Sequence, residues 1–371
     1  MSFDLDGIKK GDRVAVAMSG GVDSSVAACL MKEAGYDVVG ITLQLYDHGE
    51  FVSKKGACCA GQDIYDARNV ADQMGFPHYV LDYESVFKQN VIDDFADSYL
   101  KGETPIPCIR CNQKVKFKDL LKTSMDLGAK AMVTGHYVQR KIGENEVSEL
   151  HSAIDKSRDQ SYFLFTTTQE QLDYLRFPLG GIEKSETREI ANRFSLNIKD
   201  KPDSQDICFV PNGNYASVVS KLRPEACDPG DIIHVDGRIL GSHKGIINYT
   251  IGQRKGLGIS SENPLYVIKL NALKKQVIVG EKNYLAKTEI LTKEVNWLYD
   301  FKIKESLEKG RKMHVKIRSS QEPIPATVYA YGKDARIVLQ NPEYGVASGQ
   351  ACVFYEGSRV IGGGWISNIN S

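Results

Sequence analysis

The chain has 371 residues, of which 42% are hydrophobic and 25% charged, with 47 basic and 47 acidic side chains. This length predicts two or three domains of about 100–200 residues, and the composition is that of a folded globular protein. A net charge of zero excludes a uniformly basic nucleic-acid-binding chain, so any RNA contact must use local patches. There is no signal-peptide pattern and no membrane-length apolar run, which predicts a cytoplasmic protein with no membrane partner.

Short apolar strands alternate with helices in the N-terminal part of the chain. A strand is predicted at Arg13–Ala17, a helix at Asp23–Ala34, and further strands at Asp37–Leu45, His78–Asp82 and Ala129–Thr134. Such alternation indicates βαβ units and therefore an α/β fold with a doubly wound parallel sheet. Ligands of these sheets bind at the carboxyl ends of the strands.

The pattern changes after Val210, where short alternating runs such as Leu265–Leu270 and Met313–Ser319 replace helical periodicity. Short strands at this spacing predict small sheets or a barrel. We therefore predict three domains: a catalytic α/β domain over residues 1–210, a small central domain over 211–284 and a C-terminal β-barrel over 285–371.

A turn rich in glycine and serine joins the first strand to the first helix, with the sequence Ser19-Gly20-Gly21-Val22-Asp23-Ser24-Ser25. The glycines permit a tight turn that presents backbone N–H groups, and the helix N-terminus adds partial positive charge, so the turn suits a pyrophosphate. There is no G-x-x-x-x-G-K-[ST] motif, which excludes a Walker loop. A loop without that lysine is suited to releasing pyrophosphate and leaving AMP on an acceptor. A merely Ser-capped helix is disfavoured by the order of strand, motif and helix.

This motif resembles that of the PP-loop ATP pyrophosphatases. The resemblance implies a PP-loop (HUP-like) domain with ATP and Mg²⁺ as cofactors, and it places Asp23 near the magnesium–pyrophosphate. The residues that it implies for ATP binding are Ala17, Met18, Ser19, Gly20, Gly21, Val22, Asp23 and Ser24, together with the backbone of Leu43 against the adenine.

Three of the eight cysteines are candidates for thiol chemistry. Cys108 and Cys111 form a C-x-x-C in a proline-rich loop before a helix predicted at Val115–Leu127, and Cys208 lies near the predicted domain break. A position near that helix N-terminus, with basic neighbours, predicts a lowered pKa for the Cys111 thiol. Cys29 and Cys352 are predicted to be core thiols, and no role is assigned to Cys58, Cys59 or Cys227.

Four interpretations of these three thiols stay open. They could be core thiols, or zinc ligands, although no clear fourth ligand is present. Cys111 and Cys208 could be a sulfur-carrying pair, one holding a persulfide and the other resolving it as a disulfide. Cys108, Cys111 and Cys208 could also hold three irons of a 4Fe-4S cluster.

Six segments spread over most of the chain resemble the tRNA-specific 2-thiouridylase family (MnmA, also called TrmU). They are Ser19–Ser25, Cys111–Phe117, Thr134–Tyr137, Asp159–Leu164, Asp203–Phe209 and Ile251–Gly258. The resemblance implies ATP-dependent thiolation at C2 of the wobble uridine of tRNA, and a PP-loop domain followed by a small central domain and a C-terminal β-barrel. It also implies two partners, tRNA and a sulfur-donor protein that is a cysteine desulfurase or a relay.

The same resemblance implies residue roles. Cys111 would be the nucleophile, Cys208 the persulfide-bearing partner and Gly135 a nucleotide contact. The positions implied for tRNA contacts are His136, Arg158, Asp159, Gln160, Arg318 and Gln350. Many family members carry D-x-x-C where this chain has Cys108, so a proton-transfer role for that Asp is not assigned here. The extra thiol favours the iron–sulfur interpretation.

Basic patches are the candidates for RNA binding. Seven Lys/Arg against three acids lie between Lys101 and Lys130, and five Lys/Arg without an acid lie between Lys309 and Arg318. If Met313–Arg318 is a strand, His314, Lys316 and Arg318 share one face, which would suit a phosphate backbone. A solvated charged edge is the plainer interpretation.

Two other functions remain as alternatives to tRNA thiolation. One is a PP-loop ligase that amidates a small-molecule acid, with incidental cysteines. The other is a non-enzymatic, metal-bearing RNA-binding protein that uses ATP only as a ligand.

Overall fold

A computed structural model of the protein describes residues 3–46, 59–144, 146–203, 206–210, 213–298 and 304–367, without the side chains of residues 59, 60 and 304. The chain forms two compact units. The first comprises Met1–Asn90, Cys108–Pro211 and Ser358–Val360, and the second comprises Val91–Pro107, Asn212–Gly357 and Ile361–Ser371. No helix among the described residues has the length and apolar character needed to cross a bilayer.

The strands of the first unit are β1 (Arg13–Ala17), β2 (Asp37–Gln44), β3 (His78–Asp82), β4 (Ala131–Thr134), β5 (Val138–Ile142), β6 (Ser148–Ser152) and β7 (Leu175–Arg176). Five of them form a parallel sheet in the order β3-β2-β1-β4-β7. The predicted doubly wound parallel sheet is therefore confirmed. The sequence reading missed the β5–β6 hairpin and the edge strand β7, which is only two residues long.

Helices of the N-terminal half are α1 (Val22–Glu33), α2 (Cys59–Met74), α3 (Glu84–Phe87), α4 (Asp93–Leu100), α5 (Pro107–Cys111), α6 (Leu121–Asp126), α7 (Gln169–Tyr174) and α8 (Lys184–Arg193). Two π-helical segments, Lys88–Ile92 and Asn112–Leu120, precede α4 and α6. The core against the sheet is apolar, with Val14, Val16, Val26 and Leu30 fully buried. Cys29 also lies in this core, as predicted.

The second unit is mainly β-structure. It contains α9 (Tyr215–Leu222), β8 (Gly230–His234), β9 (Ile239–His243), β10 (Tyr266–Asn271), β11 (Gln276–Gly280), β12 (Ala286–Trp297), α10 (Lys304–Lys309), β13 (Arg311–Lys316), β14 (Ile324–Tyr331), β15 (Asp334–Tyr344), β16 (Ala351–Glu356) and most of β17 (Arg359–Ile366). Strands β8 to β11 form a four-stranded sheet in the order β10-β11-β8-β9.

The remaining six strands form a closed barrel, because the order β12-β15-β14-β13-β16-β17 returns to β12. Closure leaves no unpaired edge. The barrel core includes Met313, Val315, Ile317 and the predicted core thiol Cys352. The α/β domain, small central domain and C-terminal barrel are thus confirmed as a fold class, while the domain boundaries at residues 210 and 284 stay a prediction.

The first sheet has a switch point at β1. Ala17, the last residue of β1, is in register with Ile41 of β2 on one side and with Thr134 of β4 on the other. The segments that follow β1 and β4 therefore meet at the carboxyl edge of the sheet. Ligands of open α/β sheets bind in such a crevice.

Candidate active site

The turn between β1 and α1 has a backbone shape that requires glycine at one position. Gly20 has φ +73°, and a Cβ there would overlap the carbonyl oxygen of Asp63 in α2. The next residue, Gly21, is the N-cap of α1, and no side chain caps the helix there. The first N–H groups of the helix therefore have no side-chain cap, as expected of a turn that receives a phosphate group.

Serine side chains brace the same turn. Ser24 Oγ accepts a hydrogen bond from the Ser19 backbone N–H at 3.1 Å and donates one to the Gly21 carbonyl at 3.2 Å. Gly135 follows β4 and packs directly against this turn, since a Cβ at Gly135 would lie 2.7 Å from the Ser24 backbone nitrogen. The structure thus brings the predicted nucleotide residues on β1, α1 and β4 together, and Leu43 lies on the neighbouring strand β2.

Asp23, in the first turn of α1, is bound to other side chains. Its Oδ1 lies 2.6 Å from Lys184 Nζ and 3.0 Å from the Tyr137 hydroxyl. Burial and the neighbouring Asp23 carboxylate raise the pKa of Tyr137, so this hydroxyl stays protonated. Carboxylate oxygens are the ligands that Mg²⁺ prefers, so Asp23 fits the role predicted beside a magnesium–pyrophosphate.

Lys184 connects this turn to a second carboxylate. Its ammonium lies 2.7 Å from Asp203 Oδ1, and Asp203 is also paired with Arg158 at 3.0 Å and Arg188 at 3.3 Å. Burial opposes ionisation of Asp203, but the Lys184 hydrogen bond and the three positive charges hold its pKa below the usual value. Asp203 is therefore a carboxylate shared by three cations.

Lys201 forms a further link at the turn. Its ammonium donates to the Gly20 carbonyl at 3.0 Å and pairs with Asp63 at 2.7 Å and Asp66 at 2.6 Å. Although partial burial opposes its charge, these two aspartates raise the pKa of Lys201. The ammonium thereby fixes the turn against α2.

The candidate thiols lie in the same unit. Cys111 is the last residue of α5 and leads directly into the π-helical segment Asn112–Leu120. Helical structure therefore begins at Pro107 and not at Val115, so Cys111 has a helical turn before it instead of standing at a helix N-terminus. Its side chain is buried, and burial raises the pKa of its thiol, although Lys116 acts in the opposite direction. The predicted lowering of the Cys111 pKa was wrong, because desolvation outweighs nearby positive charge.

Cys108 and Cys208 share the environment of Cys111. Burial raises the pKa of Cys108, with Lys116 opposing and Cys111 adding to the rise. Burial also raises the pKa of Cys208 to about 12, with further contributions from Cys111 and Cys108. Part of the Cys208 surface is open to solvent, yet protein surrounds its sulfur closely enough to desolvate it. The three thiols thus lie within electrostatic range of one another.

Lys116 is the cation that these thiols have in common. Its charge lowers the pKa of Cys108, Cys111 and Cys208, and it also helps burial to lower the pKa of His136 to about 3. His136 follows β4 directly, and its Nδ1 lies 2.9 Å from the Thr134 hydroxyl. The neutral imidazole of His136 and the three cysteine thiols thus lie around the Lys116 ammonium, near the carboxyl edge of the sheet.

The thiols do not form a metal site as they stand. In the described ranges, no three His, Cys, Asp or Glu side chains are arranged to hold a metal ion. The arrangement does not fit a cluster held by Cys108, Cys111 and Cys208, and that interpretation stays an untested prediction. Cys58 lies outside the described residues, as does the side chain of Cys59.

Two residues of the first unit that were predicted to contact tRNA, Asp159 and Gln160, form hydrogen bonds within the protein. Asp159 accepts hydrogen bonds from the Ala153 N–H at 3.0 Å and from the Ser161 hydroxyl at 2.7 Å. Gln160 Oε1 accepts from the Tyr137 N–H at 2.8 Å. Asp159 and Gln160 thus position the loop beside the site in this structure, and their tRNA role stays a prediction.

The two residues of the second unit that were predicted to contact tRNA also have partners within the protein. Arg318 pairs with Glu343 at 3.0 Å, and Gln350 Nε2 donates to the Thr104 carbonyl at 2.8 Å. The basic strand face is weaker than expected, because Lys316 is buried while Lys312 and His314 are exposed. The β13 alternation holds, but its last residues enter the body of the barrel.

Lys184 was missed by the sequence reading. No helix was predicted over α8, and a single lysine in a polar stretch of sequence is ordinarily a solvated residue. Only the fold brings α8 against α1 and makes this lysine a partner of Asp23.

Comparison with known proteins gives consistent matches along the whole chain. Family models described as "tRNA methyl transferase HUP domain", "tRNA methyl transferase PRC-barrel domain" and "Aminomethyltransferase beta-barrel domain" match residues 12–212, 217–281 and 287–366. A solved 4-thiouridine synthetase–RNA complex with bound ATP is similar at a TM-score of 0.36 and 18% identity, over 58% of this chain and 51% of that chain. Similarity at that level bears on neither fold nor function.

Full-length relatives are much closer. A protein from Parvibaculum lavamentivorans is 58% identical over 100% of this chain and 94% of its own length, and one from Ruegeria pomeroyi is 62% identical over 95% of both. A third, from Paracoccus denitrificans, is 60% identical over 96% of this chain and 92% of its own. All three are named tRNA-specific 2-thiouridylase MnmA. This chain belongs to the tRNA-specific 2-thiouridylase MnmA family.

Proposed function

We propose that this protein uses ATP to thiolate C2 of the wobble uridine of tRNA. The observation that carries the proposal is the position of Lys116. The positive charge of Lys116 lies close enough to Cys108, Cys111 and Cys208 to offset part of the rise in their pKa values. It also lowers the pKa of His136, which follows the strand beside the nucleotide turn. A phosphate-type turn and a group of thiols near one edge of a sheet are what base activation followed by sulfur transfer requires.

The names of the relatives support the same reaction. The full-length relatives are named for 2-thiolation of tRNA, whereas the family models carry methyltransferase wording. The full-length names rest on about 60% identity along the whole chain. They name a sulfur-containing product, and this chain has the free thiols Cys108, Cys111 and Cys208 in the unit that carries the turn.

The first step is adenylation of the base. The turn Ser19–Ser24 holds the triphosphate, with Mg²⁺ arriving as part of the nucleotide substrate and Asp23 beside it. The uridine C2 oxygen attacks the α-phosphorus and pyrophosphate leaves, which makes the adenylated oxygen a good leaving group. The base must be unstacked from the anticodon loop to reach the turn.

The second step transfers sulfur. Cys208, loaded as a persulfide by a sulfur-donor protein, attacks C2 through its terminal sulfur, and AMP leaves. The Cys111 thiolate then attacks Cys208 Sγ and releases 2-thiouridine, so a Cys111–Cys208 disulfide forms. A dithiol reductant must return this disulfide to two thiols before the next turnover.

Serine substitution of the two cysteines tests the proposal. We expect Cys111→Ser and Cys208→Ser to abolish 2-thiolation of tRNA in an assay with ATP, Mg²⁺ and a persulfide donor, while tRNA-dependent pyrophosphate release persists, because adenylation precedes sulfur transfer. Cys227→Ser is the matched control, because Cys227 is exposed and lies in the second unit. Full thiolation by Cys111→Ser would rule out its role, and pyrophosphate release with an amino acid but no RNA would indicate an amidating ligase.

Cys108 separates the persulfide route from the iron–sulfur alternative. The thiols do not fit a cluster as described, so no step is derived through one. We expect Cys108→Asp, which restores the D-x-x-C pattern, to keep thiolation. Loss of thiolation together with iron and sulfide bound to the anaerobically purified wild type would replace the persulfide route.

The remaining functional assignments are proposals of the same standing. They are tRNA contacts by His136, Arg158, Asp159, Gln160, Arg318 and Gln350, a cysteine desulfurase or relay as sulfur donor, and a cytoplasmic location. Domain boundaries at residues 210 and 284 are likewise proposed, since they follow the change of sequence pattern.

A further inference from the structure

The glycine loop, residues 252–259, precedes strand β10 of the four-stranded sheet in the second unit. Its first residues are tied to that strand, because the Gly252 N–H donates to the Val267 carbonyl at 2.8 Å and the Val267 N–H donates to the Gln253 carbonyl at 2.9 Å. Farther along, Leu257 is buried in the apolar core of the same sheet. The glycine loop therefore has a defined shape.

The Gln253 side chain closes a turn within this loop. Its Oε1 accepts a hydrogen bond from the Thr250 N–H at 3.0 Å, and its Nε2 donates one to the Lys255 carbonyl at 3.0 Å. These two bonds hold the backbone on both sides of Arg254. The side chains of Arg254 and Lys255 are left exposed on the surface of the turn.

The backbone of the glycine loop presents a row of donors without acceptors. Among the residues that the structure describes, none accepts a hydrogen bond from the N–H groups of residues 254–259. Gly256 and Gly258 have φ +75° and +70°, whereas the other residues from 254 to 259 do not have a positive φ. Alternation of this kind turns neighbouring N–H groups toward the same side, which is the geometry of a backbone anion site.

Two cations without counter-charges lie beside these donors. Within the described ranges, neither the Arg254 nor the Lys255 side chain forms a hydrogen bond or an ion pair. Glu262 is the one acidic residue from 250 to 265, and it is exposed and pairs with neither of them. The positive charge at the loop is therefore not neutralised, and the planar guanidinium matches two oxygens of a phosphate group.

A surface groove beside the loop restricts the kind of anion that fits. The groove has a volume of about 250 Å³ and is lined by residues 254, 256–259, 261 and 263–265. None of these is aromatic, so the groove has no ring on which a base could stack. A phosphodiester of an RNA backbone suits such a site, because it presents two charged oxygens while its base points elsewhere.

We propose that the glycine loop binds one backbone phosphate of the tRNA substrate, through the N–H groups of residues 254–259 together with Arg254 and Lys255. The inference rests on the proposed function and deepens it, because it gives the small sheet of the second unit a part in holding the substrate. Phosphate contacts position an RNA and carry no sequence information. The loop therefore adds affinity for every tRNA alike.

Removal of the guanidinium tests the proposal. We expect Arg254→Ala to weaken tRNA binding about three- to tenfold in filter binding, and to reduce the slope of log K against log salt by about one contact. Lys274→Ala is the matched control, since Lys274 is exposed on the turn between β10 and β11 of the same sheet. Equal losses in the two variants, or an unchanged slope in Arg254→Ala, would overturn the proposal.

The backbone donors have a test that leaves every charge in place. We expect Gly258→Ala to weaken tRNA binding at least about threefold, because a side chain disfavours the positive φ that aligns the N–H groups. Gly237→Ala, in the turn between β8 and β9, is the matched control, since both glycines have a positive φ and a Cβ at either meets nothing within 4 Å. Thermal unfolding of both variants measures the accompanying loss of stability. Normal tRNA affinity in Gly258→Ala, or the same loss in Gly237→Ala, would overturn the assignment of the backbone donors.

Two further measurements distinguish an RNA phosphate from other ligands. We expect Arg254→Ala to bind ATP and inorganic pyrophosphate as the wild type does in titration calorimetry, and to lose the same factor of affinity with tRNAs of different sequence. Weaker ATP binding would place the loop at the nucleotide, and a loss confined to one tRNA would indicate a base contact; either result would overturn the proposal. Binding is measured without a sulfur donor, so a failure of the thiolation assay alone leaves these results readable.

Discussion

At the scale of single residues, charge and burial oppose each other at the thiols. Burial raises the pKa of Cys108, Cys111 and Cys208. The positive charge of Lys116 offsets only part of this rise at each of the three thiols. A thiol with a raised pKa reacts slowly at neutral pH, because the thiolate is the nucleophile. The resting protein therefore protects its thiols, and sulfur chemistry needs either a substrate-induced change or a loaded persulfide.

Lys116 should control the reactivity of Cys111. We expect Lys116→Met to slow iodoacetamide alkylation of Cys111 by about three- to tenfold at a given pH, because loss of the positive charge raises the thiol pKa further. Lys118→Met is the matched control, since Lys118 is exposed on the same helical segment.

The pH dependence of that reaction follows from the direction of the shift. Because the folded pKa of Cys111 lies above the ordinary thiol value of 9.0, its alkylation rate should keep rising with pH through pH 9 without a plateau. A plateau below pH 9 would show a lowered pKa and contradict the structure. Equal rates of Cys111 alkylation in Lys116→Met and Lys118→Met would show that Lys116 does not control the reactivity of this thiol.

At the scale of elements, the strand–turn–helix unit of β1 and α1 depends on one backbone conformation. Gly20 adopts φ +73° and has no room for a Cβ against the Asp63 carbonyl, whereas its neighbour Gly21 adopts φ −88°. Two constraints therefore require glycine at position 20: the positive φ of the turn and the close packing of α2 against it.

Alanine at Gly20 should disrupt the nucleotide turn. We expect Gly20→Ala to lose at least about 1 kcal/mol of unfolding free energy, because a positive φ strains a residue with a side chain. It should also weaken ATP binding more than tenfold, which titration calorimetry measures.

Gly181→Ala is the control for this substitution, since a Cβ at Gly181 meets nothing within 4 Å and its φ is not positive. Chemical denaturation of both variants gives the stability difference. Normal ATP affinity in a folded Gly20→Ala protein would show that the turn does not hold the nucleotide.

At the scale of the whole molecule, a chain with zero net charge must bind tRNA through local patches. Lys312 and His314 are exposed on β13 of the barrel, while Lys316 is buried. Contacts with phosphates release counterions, so their number sets the salt dependence of binding.

The exposed part of β13 should contribute to that dependence. We expect Lys312→Ala to weaken tRNA binding for all substrates alike and to reduce the slope of log K against log salt by about one contact. Lys10→Ala is the control, because Lys10 is exposed in the N-terminal segment of the first unit. Equal slopes for Lys312→Ala and the wild type, in filter binding over a range of salt concentrations, would exclude this surface.

Local patterns predicted much of this molecule. The bounds of β1 and β3 follow from their apolar runs, and the phosphate-type turn follows from the order of Gly, Ser and Asp between a strand and a helix. The six family segments identified the relatives without the fold. The helix at Cys111 was placed too late, because proline at its first turn was read as part of a loop although proline is well tolerated there.

The sequence by itself determined the fold class, the turn and the identity of the thiols, because these depend on residue type and on neighbours along the chain. Only the tertiary structure decided that the Cys111 thiol is desolvated and that Lys184 joins Asp23 to Asp203. It also decided that the charge of Lys116 lies close to all three cysteine thiols. Burial and the pairing of charges distant in sequence are set by how helices pack on the sheet, and no local pattern records that packing.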